Sequence, residues 1–300
     1  MIKGYFMILN QLSITDQFKS FCTHNHITDM GKAIEYFAVF GGIKIAARIE
    51  QPIEEQIEDK IFAKYKYLRN DIGEITMGNN EHHAILSAIA QGDRRTNSAF
   101  RKLKISFNDG IEAVDKQCSR RMLKLEKSRF ALANQEFNEA ISEKLFFTTP
   151  FAHFWFAFVS PVFKGIRDGN FEEALKAWEN NKAEFTSTVF NQLSHEVLKN
   201  VIAKSDDRIV NIGRYWDEKI SIDLIATTKE NKLILGSTKF TNSKVKKSEL
   251  TKLKEIAKQL NLEVDTYVLF SKKGFSNELK SLKGENLKLL TPRNFSVISQ

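Results

Sequence analysis

Ser221-Ile-Asp-Leu-Ile-Ala-Thr227, then Lys229-Glu-Asn231, then Lys232-Leu-Ile-Leu-Gly-Ser-Thr-Lys-Phe240 is the stretch on which the fold turns. Two runs rich in β-branched residues flank a polar turn, the pattern of a β-hairpin. Downstream, Leu250, Leu253, Ile256, Ala257 and Leu260 form the stripe of an amphipathic helix. Thr266 to Phe270 is a short apolar strand of the fully buried kind, Phe275 to Leu282 a helix, and Leu287 to Leu290 a last strand. Upstream, residues 171–203 keep a helical period ending in Val189, Phe190, Leu193, Val197, Leu198 and Val201. Helix, hairpin, then alternating helix and strand predicts an α/β layer on a mixed sheet.

The first two hundred residues read differently. Residues 14–70 are mostly helical, with Phe18, Phe21 and Cys22, then Ala33, Ile34, Phe37 and Ala38, at three-to-four spacing. In residues 81–130, His83 to Ala90 predicts one helix, and Thr96 or Asn97 caps a second carrying Phe100 and Leu103. Asn108-Asp109-Gly110 reads as a turn. A third helix follows with Ile111, Val114, Cys118 and Met122, then an alternating edge strand, Leu123 to Lys127. Three short helices with a trailing strand predict a winged helix-turn-helix, a design that lays its third helix in the DNA major groove. From Lys144 to Phe163 aromatics crowd the chain, the composition of a buried helix. The expected divisions are a helical cap at 1–80, the winged helix at 81–130, an aromatic helical linker at 131–203 and the α/β layer at 204–300. The fold class is α+β overall.

Charge points to a polyanion. The 300 residues carry 45 Lys+Arg against 37 Asp+Glu, a net +8. Residues 201–300 hold 19 against 12 and residues 81–130 hold 11 against 6, so two basic blocks sit in an otherwise slightly acidic chain. Two cysteines exclude a disulfide scaffold and fit a reducing cytoplasm. The longest apolar run, Phe151 to Phe163, is too short to span a bilayer, so no membrane partner is expected. Cys22, His24 and His26 lie close together, as do His82 and His83, without the spacing of a zinc site. No Gly-x-x-x-x-Gly-Lys-Ser/Thr cradle occurs, and ATP hydrolysis is not expected.

Asp223 stands mid-strand between Ile222 and Leu224, and buried acids need a partner or a metal. Ser237 and Lys239 project to one face of the hairpin's second strand, where they converge with Asp223. A strand Asp followed by a residue-x-Lys element on the next strand resembles the PD-(D/E)XK nuclease signature. Ile212-Gly-Arg-Tyr-Trp216, Ile222-Asp-Leu-Ile-Ala226, Leu235-Gly-Ser-Thr-Lys-Phe240 and Thr149 to Phe158 resemble the C-terminal region of archaeal-type ATPases, over residues 81–300. That resemblance implies a winged helix, a linker and a restriction-endonuclease-like domain, with the ATPase module absent from the first eighty residues. It also implies three carboxylates, of which only Asp223 is in place. Ser237 stands where the second acid is expected and Asn191 where a helix acid is expected. Asp206 and Asp207 are nearby in sequence, and Glu196 points round the helix from Asn191.

The leading expectation is therefore binding of double-stranded DNA with a degenerate, inert centre in which Asp223 and Lys239 pair, and with no cofactor. Arg94, Arg95, Lys116, Arg120, Arg121 and Lys124 would serve the winged helix, and Lys239, Lys244, Lys246 and Lys247 the second domain. The first alternative is a Mg²⁺-dependent DNA endonuclease with a rearranged site. The second is an adaptor that docks a separately encoded ATPase through the N-terminal helices.

Overall fold

The computed structural model describes residues 12–76, 78–92, 94–202 and 207–299. Tyr5 to Leu9 and Asp206 lie outside them. The architecture is α+β: a helical N-terminal half, then a five-stranded mixed sheet. The chain divides into two compact units, Met1–Thr28 with Lys32–Lys127 and Ser142–Lys182, and Asp29–Gly31 with Ser128–Ile141 and Ala183–Gln300. No helix among the described residues is long and apolar enough to cross a membrane.

Unit one opens with α1 (Ile14–His24), α2 (Met30–Phe40), α3 (Ile53–Ile57) and α4 (Tyr65–Thr76). Ser13 caps α1 by accepting from the Asp16 amide. The chain turns after α2 at Gly42, whose φ is +84° and where a Cβ would fall 2.0 Å from Thr149 Cγ2. Helices α5 (Asn80–Gln91), α6 (Thr96–Leu103) and α7 (Phe107–Ser119) follow, then the antiparallel strands β1 (Leu123–Glu126) and β2 (Lys144–Phe147). An Arg95–Lys144 bridge adds a third short stretch to that pair.

Three expectations need correcting in this unit, the first being the cap of α6: Thr96 is its first residue, and Arg95 stands at the N-cap with no side-chain cap bond. Asn108-Asp109-Gly110 is the first turn of α7, because Ser106 caps the helix by accepting from the Asp109 amide at 3.2 Å. Gly110 is needed there for space, since a Cβ would lie 2.6 Å from the Phe100 ring. Lys144 to Phe147 is a strand, not helix, because β1 offers it a partner that an apolar run cannot announce. The remaining aromatics fill α8 (Pro150–Phe154) and the π-turn after it. Trp155 stacks on Tyr65 with centroids 5.7 Å apart, and Phe154 and Phe158 set their edges on Trp178. These rings are buried and offer no platform for bases.

After α9 (Phe163–Arg167), the long helix α10 (Glu172–Ile202) begins in unit one and from Ala183 belongs to unit two. Unit two continues with β3 (Ile209–Trp216), β4 (Ser221–Thr228), β5 (Leu233–Lys239), α11 (Lys247–Gln259), β6 (Thr266–Ser271), α12 (Asn277–Ser281) and β7 (Leu287–Leu290). Sheet order follows sequence order, with β3–β4–β5 antiparallel and β5–β6–β7 parallel. α11 is the crossover that parallel pairing of β5 and β6 requires. One core of the unit packs Tyr215, Ile225, Leu235, Ile256 and Leu260 with Phe130, Ala133 and Ile141 from the segment between β1 and β2. That same segment covers the β3 edge: the Arg129 amide donates to Arg214 O at 2.9 Å, and the Ser128 hydroxyl spans Trp216 N and O at 2.8 and 2.7 Å.

Candidate functional site

Asp223 is placed by a break in regular pairing on both sides of its strand. Against β3, Gly213 faces Ile225 and Tyr215 faces Ile222, so one β3 residue opposes two on β4 and the bulge falls on Asp223 and Leu224. Against β5, the ladder runs to Leu224–Gly236 and stops. Beyond it, the Asp223 carboxylate takes over the ladder's role: Oδ2 accepts from the Thr238 amide at 2.9 Å and lies 3.2 Å from the Ser237 hydroxyl. Its neighbours Ile222 and Leu224 are both buried, and the bulge sets Ile222 on the same core as Ile225.

The carbonyl of Asp223, freed by the bulge, is held by α10. His195 Nε2 donates to it at 2.8 Å, which fixes the hydrogen of that imidazole on Nε2, and Asn191 Nδ2 donates at 3.3 Å. Asn191 also donates to Thr238 Oγ1 at 3.0 Å and accepts from Arg214 Nε at 2.6 Å. Residues 191 and 195 are one turn apart and so share a helix face. Asn191 thus lies at the centre, as a strut that ties α10, β3, β4 and β5 together.

The second carboxylate comes from a place the sequence reading did not consider. Glu249 sits in the first turn of α11, and its Oε1 accepts from the Ser237 hydroxyl at 2.6 Å and from Lys239 Nζ at 3.1 Å. Lys239 therefore pairs with Glu249, which corrects the expected Asp223–Lys239 pair. The reason is topological: β5 ends at Lys239, and the crossover returns through α11, whose N-terminal turn comes back over the strand ends. Carboxyl ends of strands are where α/β sheets assemble sites. Glu249 and Lys239 are partly buried, at 19% and 35% side-chain exposure. One hydroxyl hydrogen serves two carboxylates here. Given to Glu249 at 2.6 Å, it leaves the 3.2 Å contact of Ser237 Oγ with Asp223 Oδ2 as oxygen against oxygen.

The other acids are engaged elsewhere. Glu196 pairs with Lys199 at 2.8 Å. Asp207 caps the β4–β5 turn at the far end of the hairpin, accepting from the Glu230 amide at 2.9 Å and pairing with Lys232 at 3.3 Å. Desolvation opposes its charge, but the Glu230 amide, the Thr228 hydroxyl and Lys232 hold it below the usual carboxylate range. Among the described residues, no group of three or more His, Cys, Asp or Glu is placed to hold a metal. The donor set at the centre is two carboxylates and one hydroxyl.

The basic residues divide into several settings. Arg94 is partly buried with φ at 64° and its guanidinium 5.1 Å from the Phe146 ring centroid, and Arg95 precedes α6. Lys116 is tied to Glu112 at 2.6 Å. Arg120 ends α7, and Arg121 and Lys124 beyond it are exposed. The exposed face of α7 itself carries Asp109, Glu112 and Asp115 beside Lys116. In unit two, Lys244 and Lys246 are exposed, and Lys247 pairs with Glu278 at 3.0 Å.

Residues 155–253 match the model of a family of archaeal and bacterial proteins of unknown function, DUF234. That family is the C-terminal domain of ATPase-like proteins, and the match covers a shorter stretch than residues 81–300. The match takes in Asn191, Asp223, Ser237, Lys239 and Glu249. No curated protein and no solved structure matches the chain.

Proposed function

We propose that this protein binds double-stranded DNA and hydrolyses its phosphodiester backbone in unit two with a divalent cation. The observation that carries the reading is Glu249. Along the sequence the centre keeps one acid of an expected three; in space a second carboxylate meets Asp223 across Ser237.

The donor chemistry fits a hard cation. Mg²⁺ is commonly held by one or two carboxylates, with water and substrate phosphate completing the shell. Asp223 and Glu249 would hold it. Once bound, the ion would polarise the phosphoryl oxygen and lower the pKa of a bound water. The remaining work belongs to the chain. Asn191 and His195 fix the Asp223 backbone, Ser237 spaces the carboxylates, and Lys239 presents an ammonium beside Glu249 at the rim of the centre. In unit one, the three helices and paired strands would add DNA contacts from Arg120, Arg121 and Lys124. The outward face of α7 is a poor match for a groove lined by phosphates, because three carboxylates stand on it.

The test is nicking of supercoiled plasmid with Mg²⁺ or Mn²⁺. Asp223→Asn and Glu249→Gln are each expected to slow it by more than about 100-fold, beyond the usual effect of outer-shell partners. A wild-type protein that binds the plasmid and leaves it intact in both ions overturns the hydrolytic reading. What remains is then a binding protein whose centre satisfies its own charges through the Lys239–Glu249 pair.

A further inference from the structure

The loops that leave β5 and β6 run side by side past the Asp223–Glu249 centre. Val245 and Phe275 form a parallel bridge, the Val245 amide donates to Gly274 O at 2.9 Å, and the Ser276 amide donates to Val245 O at 2.9 Å. This short ladder brings two stretches together, Lys239 to Glu249 and Ser271 to Glu278. Between them they hold six lysines and two carboxylates. Each carboxylate is already matched to a lysine of the set, Glu249 to Lys239 and Glu278 to Lys247. A surplus of positive charge is therefore concentrated at the strand ends.

Lys272 and Lys273 are the members of this group that follow β6. The Lys272 amide donates to the Lys239 carbonyl at 3.0 Å, so its backbone is fixed directly beside the centre. Its ammonium stands 4.6 Å from the Phe240 ring centroid, and that ring rests on buried Phe190 with centroids 5.0 Å apart. A cation held over an aromatic face loses less freedom on meeting an anion than one on a mobile stem. Lys273 is exposed.

We propose that Lys272 and Lys273, with Lys244 and Lys246 on the neighbouring loop, form a rail that grips the DNA phosphate backbone next to the point of cleavage. The partner follows from charge complementarity and from the rail's continuity with the centre. The inference rests on the hydrolytic reading above and adds residues that bind rather than react.

The experiment uses the full chain carrying Asp223→Asn, and measures fluorescence anisotropy of a labelled duplex against KCl concentration. With Lys272→Gln and Lys273→Gln added, duplex affinity should fall, and the slope of log K against log[KCl] should shrink by about 1.8, near 0.9 for each phosphate contact removed. The pair Lys272→Arg and Lys273→Arg should restore the slope. Lys229→Gln with Lys258→Gln, exposed lysines at the opposite end of the sheet, should leave it unchanged. An unchanged slope in the first variant, or an equal loss in the last, overturns the rail. Plasmid nicking by the protein with Asp223 intact is a separate readout: absence of nicking marks failure of the hydrolytic reading, and an unchanged salt slope marks failure of the rail.

Discussion

Glu249 shows how a charge can move along a chain and stay in place in space. The strand position of Ser237 and the helix position of Glu249 address the same point, since the hydroxyl of one touches the carboxylate of the other at 2.6 Å. The relation is testable by exchange. In Glu249→Gln, nicking should be lost; adding Ser237→Glu returns a carboxylate to the strand and should recover a measurable fraction of the rate. Recovery by Ser237→Asn in the same background would show that shape and not charge is being restored. Asp223 and Lys239 were legible in sequence because alternation along a hairpin is local arithmetic. Glu249 was not, because its role depends on where the crossover sets the first turn of α11. Nor were His195 and Arg214 legible as parts of the centre. The bulge that turns the Asp223 carbonyl toward α10 leaves no mark in the residue pattern.

Elements were legible where their ends carried side-chain signals. The hairpin, the crossover stripe, and the strands at Thr266 and Leu287 all follow from period and turn chemistry. The first turn of α7 did not, because Asn-Asp-Gly is a strong local turn signal and the Ser106 cap overrides it. At the other end of α7, Met122 N bonds Gln117 O and Arg121 N bonds Cys118 O, with Arg121 left-handed at φ 56°. That is a Schellman ending without its usual glycine. Arg121→Gly should raise stability by about 0.5–1 kcal/mol in urea titration, left-handed strain relieved less the added chain entropy. Gly110→Ala should do the reverse despite alanine's helix preference. Its methyl group would fall 2.6 Å from the buried Phe100 ring, and overpacking of this kind costs about 1–3 kcal/mol.

At the scale of the whole molecule, unit one has a built-in sensitivity to acid. His153 is buried with its ring stacked 5.2 Å from that of Phe147, and desolvation, helped by nearby Arg94, pushes its pKa down to about 3. The ordinary value is 6.5, so between these values the unfolded chain binds the proton that the folded chain refuses. The contribution is therefore complete above about pH 6.5 and declines as pH falls toward 3, by about 1.4 kcal/mol per unit crossed. His153→Phe should flatten that part of the pH dependence of thermal unfolding. Unit two makes a different prediction. A fragment of residues 204–300 lacks Phe130 and Ile141, worth about 1.5–3 kcal/mol each when buried, and leaves the β3 edge uncovered. It should aggregate on refolding, while a fragment joining 128–141 to 183–300 through a flexible linker should give a cooperative melt.

The order in which the chain leaves a ribosome gives the segment between β1 and β2 a further meaning. Residues 128–141 emerge well before β3 to β7, the strands of the unit into which they pack. At about 5–20 residues per second, the roughly 150 residues between Ile141 and the end of β7 take on the order of ten to thirty seconds, and Phe130 and its neighbours wait that long for the rest of their core. For that interval the nascent chain carries an apolar loop with no home, a natural foothold for a chaperone.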